Sequence, residues 1–287
     1  MGASFAAELL KLRKRPATWV LALVWVAVVV LFGYLLTYSF VANPPEPAED
    51  VPPEVQAQER AINEAQLEAL FPENLLENLF GSGIFGVGAA VVLILGALTA
   101  GSEYGWGTLK TVLSQRPGRL AVLSGKLLAL GVFIVFVVLG LAAGGASSLV
   151  VARLEEAAVA WPSLGEALRG VGIGSLVFAV WGTFGFGLAV LFRGTPLAIG
   201  LGLAWALAVE NTIAALPIES DAYESFRRFT LGENTSGATS YFGSPFPEEF
   251  GLPEPLVEPE RAAITLAAYT AALVVLAALF FWRRDVT

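Results

Sequence analysis

Gly101-Ser-Glu-Tyr-Gly-Trp-Gly-Thr-Leu-Lys-Thr-Val-Leu-Ser-Gln-Arg-Pro-Gly-Arg-Leu-Ala-Val-Leu-Ser-Gly-Lys126 is a polar, basic interruption between two long apolar runs. From Glu103 to Ser114 it has the pattern of a short amphipathic helix. Trp106, Leu109, Val112 and Leu113 recur at helical spacing, with Thr108, Lys110 and Thr111 largely opposite. Pro117-Gly118 ends that helix. The flanking runs, 81–100 and 127–151, each reach the roughly 20 mainly apolar residues that a membrane crossing needs.

Working outward, the same test is met by 17–41, 171–192, 196–216 and 262–282. Hydrophobic residues make up 56% of the chain, charged residues 15%, and the mean hydropathy is +0.69, far from soluble averages. The expected fold is an all-α membrane protein, a six-span bundle forming one membrane domain over 1–287. The first run follows Lys11, Arg13, Lys14 and Arg15, as the core of a secretory signal would. It is too long for one. At 1.5 Å per residue it covers about 37 Å, against a signal core of about 7 to 15 residues. An uncleaved first span is expected.

The basic residues set the orientation. With six spans both termini share a side. That side holds Lys11, Arg13, Lys14, Arg15, Lys110, Arg116, Arg119, Lys126, Arg193, Arg283 and Arg284, against only Glu8, Glu103 and Asp285. It is expected to be cytoplasmic, which puts 42–80 and 217–261 outside and 101–126 inside. Most acids cluster in the two outer loops, so the net charge of -8 averages two opposite faces. A one-signed field concentrates counter-ions. Carboxylates interleaved with prolines, as in 43–53, read more plainly as solvated loop.

Absences narrow the chemistry. The chain has no cysteine and no histidine, which removes disulfides, thiolate nucleophiles, imidazole bases and the usual zinc sets. No spaced ligand set suggests a metal, and an intramembrane aspartyl dyad would need two acids where the spans offer only Glu210. Gly81-Ser-Gly-Ile-Phe-Gly86 matches a dinucleotide fingerprint literally, but it opens an apolar run without a preceding strand. Gly118 to Lys126 has the wrong glycine spacing for a phosphate loop, and Leu127 stands where Ser or Thr is required. No catalytic, cofactor or nucleic-acid site is expected in this chain.

Before the first span, Phe5, Leu9 and Leu12 fall at helical spacing with Glu8, Lys11 and Arg15 as charged companions. This pattern fits an interfacial helix over 1–16, set off by Pro16. Its basic face suits anionic headgroups or an acidic groove on a partner; a plain positive-inside anchor fits as well. Outside, Pro72-Glu-Asn-Leu-Leu-Glu-Asn-Leu-Phe80 predicts a helix with Leu75, Leu76 and Leu79 along the outer membrane surface. Phe226, Phe229, Tyr241, Phe242, Phe246 and Phe250 mark 217–260 as an aromatic cap or an exit lining. Asn234-Thr-Ser236 has the form of a glycosylation acceptor, without other signs of a eukaryotic secretory context. Glycines such as Gly140, Gly144, Gly182 and Gly185 let helices approach, within this bundle or across a dimer seam. Trp19, Trp161 and Trp282 fall near span boundaries, as aromatic belts do.

Glu210, followed by Asn211, is the one acid well inside a span and by default a candidate pathway residue. Near the outer end of the fifth span it has three open fates: pairing with Arg227 or Arg228, protonation, or contact with a cationic substrate.

The chain resembles the permease subunits of ABC-2 type ATP-binding-cassette transporters. The resemblance rests on Glu8-Leu-Leu-Lys-Leu-Arg-Lys-Arg15, on Gly101 to Ser114, on Arg116-Pro-Gly-Arg119 and Gly125-Lys126, and on the six-span layout. It implies an N-terminal interfacial helix, a coupling helix between spans two and three, and a permease dimer above two ATPase subunits that hold ATP and magnesium. By resemblance, Glu103, Tyr104, Trp106, Leu109, Lys110, Leu113 and Arg116 occupy the coupling region, and the chain is a prokaryotic exporter subunit of the cytoplasmic membrane, a homodimer or paired with a homologous permease. A non-transporting scaffold that recruits a soluble factor is the alternative from another class. An ion-coupled secondary transporter is disfavoured by the scarcity of ionisable groups within the spans.

Overall fold

The computed structural model describes residues 2–44, 52–105, 119–218, 220–244 and 254–283. Regular structure among them is helical throughout. The helices are α1 (Gly2–Lys14), α2 (Pro16–Val30), α3 (Leu36–Ala42), α4 (Pro53–Glu68), α5 (Leu75–Gly81), α6 (Ile84–Gly105) and α7 (Arg119–Ala129). They are followed by α8 (Phe133–Leu154), α9 (Leu164–Phe192), α10 (Thr195–Leu203), α11 (Glu210–Ala215), α12 (Asp221–Arg227), α13 (Leu231–Thr239) and α14 (Pro259–Arg283).

Among the described residues six helical runs are long and apolar enough to cross a membrane: Pro16–Ala42, Ile84–Tyr104, Ala121–Leu154, Leu164–Phe192, Thr195–Ala215 and Pro259–Arg283. Π turns at Leu31–Leu35 and Ala204–Val209 carry the first and fifth runs from α2 to α3 and from α10 to α11. A 3₁₀ turn at Leu130–Val132 does the same between α7 and α8.

The helix ends follow local chemistry. Pro16 holds Arg15 in an extended conformation and begins α2. Fourth-span helix α9 begins at Leu164, seven residues earlier than hydropathy alone suggests, because Ser163 and Glu166 form a reciprocal capping box. It ends at Arg193, whose φ of 54° is left-handed, and Pro196 then starts α10. The third run begins at Ala121, so Lys126 lies inside a helix and not in a loop.

The core gathers around Trp25, which is fully buried and donates its indole N–H to the Phe136 carbonyl at 2.8 Å. Phe85 and Phe178 stack on each other at 4.4 Å and meet Trp25 edge-on at 5.9 and 5.8 Å, so the first, second and fourth spans share one aromatic cluster that Trp25 ties to the third. In lipid such packing rests on close contact more than on the expulsion of water. The second and fourth spans therefore touch backbone to backbone. A methyl on Gly96 would overlap the Gly182 carbonyl, and one on Gly185 would overlap the Leu93 carbonyl. These glycines pack this chain's own bundle.

At one end α1 packs on α7, and Gly101 of the second span lies against Thr195 at the start of the fifth. This is the basic end. The opposite, acidic end carries α4, α5, α12 and α13. Here one expectation is corrected: Leu75, Leu76 and Leu79 are 7%, 6% and 1% exposed and belong to the bundle core, because α5 packs against α6 and α8. It does not lie along the membrane surface with that face in lipid. Phe242 stacks on Phe80 at 4.7 Å, while Phe226 and Phe229 remain exposed; Phe246 and Phe250 lie outside the described residues. Asn234 is fully buried and donates to the Arg228 and Thr230 carbonyls, which removes it as a glycosylation acceptor. Trp19, Trp161 and Trp282 are all exposed near their helix ends, as belt residues are.

Candidate functional site

At the basic end, α1 lies across α6 and α7 through a closed ring of four charges. Lys11 Nζ is 2.7 Å from Glu8 Oε1 and 2.5 Å from Glu103 Oε1; Lys126 Nζ is 3.3 Å and 3.0 Å from the same two oxygens. Glu8, Glu103 and Lys126 are buried, whereas Lys11 keeps its edge to solvent. Two acids and two bases cancel, so the ring as a whole carries no net charge. Lys126 also donates to the Thr99 carbonyl at 3.2 Å. Glu103 Oε2 accepts no hydrogen bond among the described residues.

Two further features seat α1. Arg15 donates to the Leu98 carbonyl at 3.1 Å and to Ser102 Oγ at 2.7 Å, both on the second span. Gly125 lets α1 approach α7: a Cβ there would sit 2.7 Å from Ser4 Cβ and 3.0 Å from the Phe5 amide nitrogen. Burial works to lower the Lys11 pKa, but the carboxylates of Glu103 and Glu8 outweigh it and hold it above its usual value.

This arrangement changes the face expected of α1. Leu12 is buried and Phe5 packs on the core, but Leu9 is 43% exposed. Glu8 takes the inward place beside Leu12, because the buried face is turned to the Glu8 side of the helix, about 100° round from Leu9, where Glu103 and Lys126 supply charged contacts. Arg13 and Lys14 point outward. Glu103 and Tyr104 occupy the last turn of α6 instead of opening a separate helix, and Glu103 faces α1, not solvent. Trp106, Leu109, Lys110, Leu113 and Arg116 lie outside the described residues. The ring thus sits where the second span leaves for 106–118 and where the third span returns.

Glu210 sits towards the other end, 5% exposed. Its Oε1 accepts from the Trp205 indole at 2.8 Å and the Leu231 amide at 3.1 Å, and its Oε2 accepts from the Gly232 amide at 3.1 Å. It therefore holds the first turn of α13. Neither arginine considered as its partner takes that place: Arg227 pairs with Glu233 at 2.9 Å and Arg228 lies 3.8 Å from Glu224. Asn211 is exposed and donates back to the Leu207 carbonyl, on a different face from Glu210. Among the described residues no three carboxylates converge as a metal site would require.

Residues 3–286 match the family model described as ABC-2 family transporter protein. No curated protein matches the chain.

Proposed function

Because the chain belongs to the ABC-2 family of transporter proteins, and is thereby a non-catalytic, multi-pass membrane subunit, we propose that it carries an unidentified substrate outward, driven by a separate ATPase. ATP and magnesium belong to that partner. The permease works as a pair, a homodimer or a dimer with a homologous chain, with both termini in the cytoplasm.

The observation that carries this reading is the charge ring of Glu8, Lys11, Glu103 and Lys126 at the root of segment 106–118. A force applied to 106–118 enters the second span at Glu103 and the third at Lys126. The same force reaches α1 without passing through solvent, because the ring joins all three helices. Trp106, Leu109, Lys110, Leu113 and Arg116 supply the face that meets the ATPase, and Glu103 and Tyr104 supply the root. Arg13 and Lys14 face anionic headgroups of the inner leaflet.

Co-purification with the candidate ATPase, followed by an ATPase assay in liposomes, tests the reading. Trp106→Asp or Leu109→Asp is expected to abolish assembly or stimulation. Unchanged assembly and stimulation in both variants would remove 106–118 from the coupling role.

A further inference from the structure

The fifth span touches the rest of the molecule along a narrow line: Ala198 and Gly202 are buried, Ala206 packs on the core, and Glu210 is buried. These positions are four apart. In a regular α-helix each step of four drifts by about 40°, so three steps would turn Glu210 about 120° away from that line. The π turn at Ala204–Val209 takes up the drift by inserting about one extra residue, worth about 100° of rotation. The turn aims Glu210 at α13.

α13 is not a surface helix. Trp181, about 17 residues or roughly 25 Å along the fourth-span helix, donates to Thr235 Oγ1 at 3.0 Å. On the sixth-span side, a Cβ at Gly237 would lie 2.6 Å from the Val257 carbonyl oxygen, and Tyr269 donates to the Phe229 carbonyl at 2.8 Å. The helix is wedged between the fourth, fifth and sixth spans, with its N-terminus on the Glu210 carboxylate. The amides there satisfy an acid that pairs with no lysine or arginine among the described residues, and the helix dipole favours its charge. Gly232 leaves space for this contact, since a Cβ would come 3.0 Å from Oε2.

We propose that α11 and α13 move as one body joined at Glu210, with the π turn as hinge, and that this body is the gate at the acidic end. Tilting α11 without α13 would strip the two backbone donors, Leu231 and Gly232, from a buried carboxylate, a costly step where little water can replace them. Glu210 is thereby a positioning residue and not a contact for substrate. The joint follows from the contacts alone; what its movement opens rests on the reading of the chain as a transport permease.

The chain has no cysteine, so labels can be placed singly. Asn211→Cys with Ser236→Cys reports the joint, and Leu168→Cys with either reports movement against the fourth span; all three positions are exposed. Distances are read by pulsed electron resonance on the full chain with its ATPase, nucleotide-free and trapped with ATP and vanadate. The 211–236 distance is expected to stay fixed while both distances to 168 shift together. Glu210→Ala and Gly232→Ala, the latter keeping every charge, are expected to broaden the 211–236 distribution without nucleotide. A 211–236 distance that changes on trapping, distances to 168 that stay still, or a distribution left narrow in both variants would overturn the joint gate. Failure of the ATPase to bind is a separate outcome that removes the transport reading, and the nucleotide-free comparison still decides the joint.

Discussion

Glu103 and Glu210 are both buried carboxylates in apolar helices, yet they are satisfied in opposite ways. Glu103 is held by two lysine side chains, one from α1 and one from α7. Glu210 is held by two backbone amides and an indole, with no cation in contact among the described residues. The first arrangement depends on charge and on side chains that can be exchanged or titrated. The second depends on where a helix begins. The basic end is therefore an electrostatic joint and the acidic end a positional one, and substitutions should separate them.

The largest effect is expected from Lys126→Ala. It leaves Glu8 and Glu103 buried with only the half-exposed Lys11 between them, at a cost of about 3–5 kcal/mol. Thermal unfolding of the reconstituted chain measures this, and α1 should become open to proteolysis at the same time. Next is Glu210→Ala, which strands three donors and costs about 1–3 kcal/mol. Its signature is faster amide exchange in α13, with α1 unaffected. An Lys126→Ala chain that keeps α1 protected would erase the contrast.

Gly125→Ala sharpens the comparison without touching charge. It forces α1 away from α7 near Ser4 and is expected to cost about 1–3 kcal/mol through overpacking. If α1 loosens here as it does in Lys126→Ala, seating distance matters as much as charge.

The pH response should also divide the two ends. Lys11 has a folded pKa above its ordinary value of 10.5. Its contribution is therefore fully present below the unfolded value and is lost as pH rises through the folded one. Strongly alkaline buffer should release α1 while exchange in α13 changes less, which limited proteolysis and exchange read together. Smallest is Glu77→Gln. Burial pushes the Glu77 carboxyl above its usual range, so its ionised form opposes folding as pH rises. The amide is expected to raise the melting temperature slightly at neutral pH and to leave it unchanged in acid.

The six spans were legible because hydropathy is a local property of the chain, and so was the contrast between basic and acidic faces. The charge ring was not. Glu8, Glu103 and Lys126 each looked like loop or interface charges, and only the folded bundle brings together residues as far apart as these. The α5 leucines show the same limit: their helical face was readable, but what covers it is set by α6 and α8. Ser163 and Glu166 did carry a local signal, S-x-x-E, that would have placed the start of the fourth helix at Leu164. The π turn before Glu210 has no comparable signature in Ala204-Trp-Ala-Leu-Ala-Val209. Its effect, turning an acid whose fate the sequence left open to a helix N-terminus, could be seen only in three dimensions.

In the proposed mechanism the ring at Glu103 passes force between 106–118 and the membrane bundle. Glu103→Gln keeps the size of the side chain and removes its charge. ATPase stimulation by this variant, measured in liposomes beside its assembly with the ATPase, tests the claim most directly. The complex is expected to assemble still while its ATPase rate falls towards that of the ATPase alone; full stimulation in the assembled variant would remove the ring from the path of force.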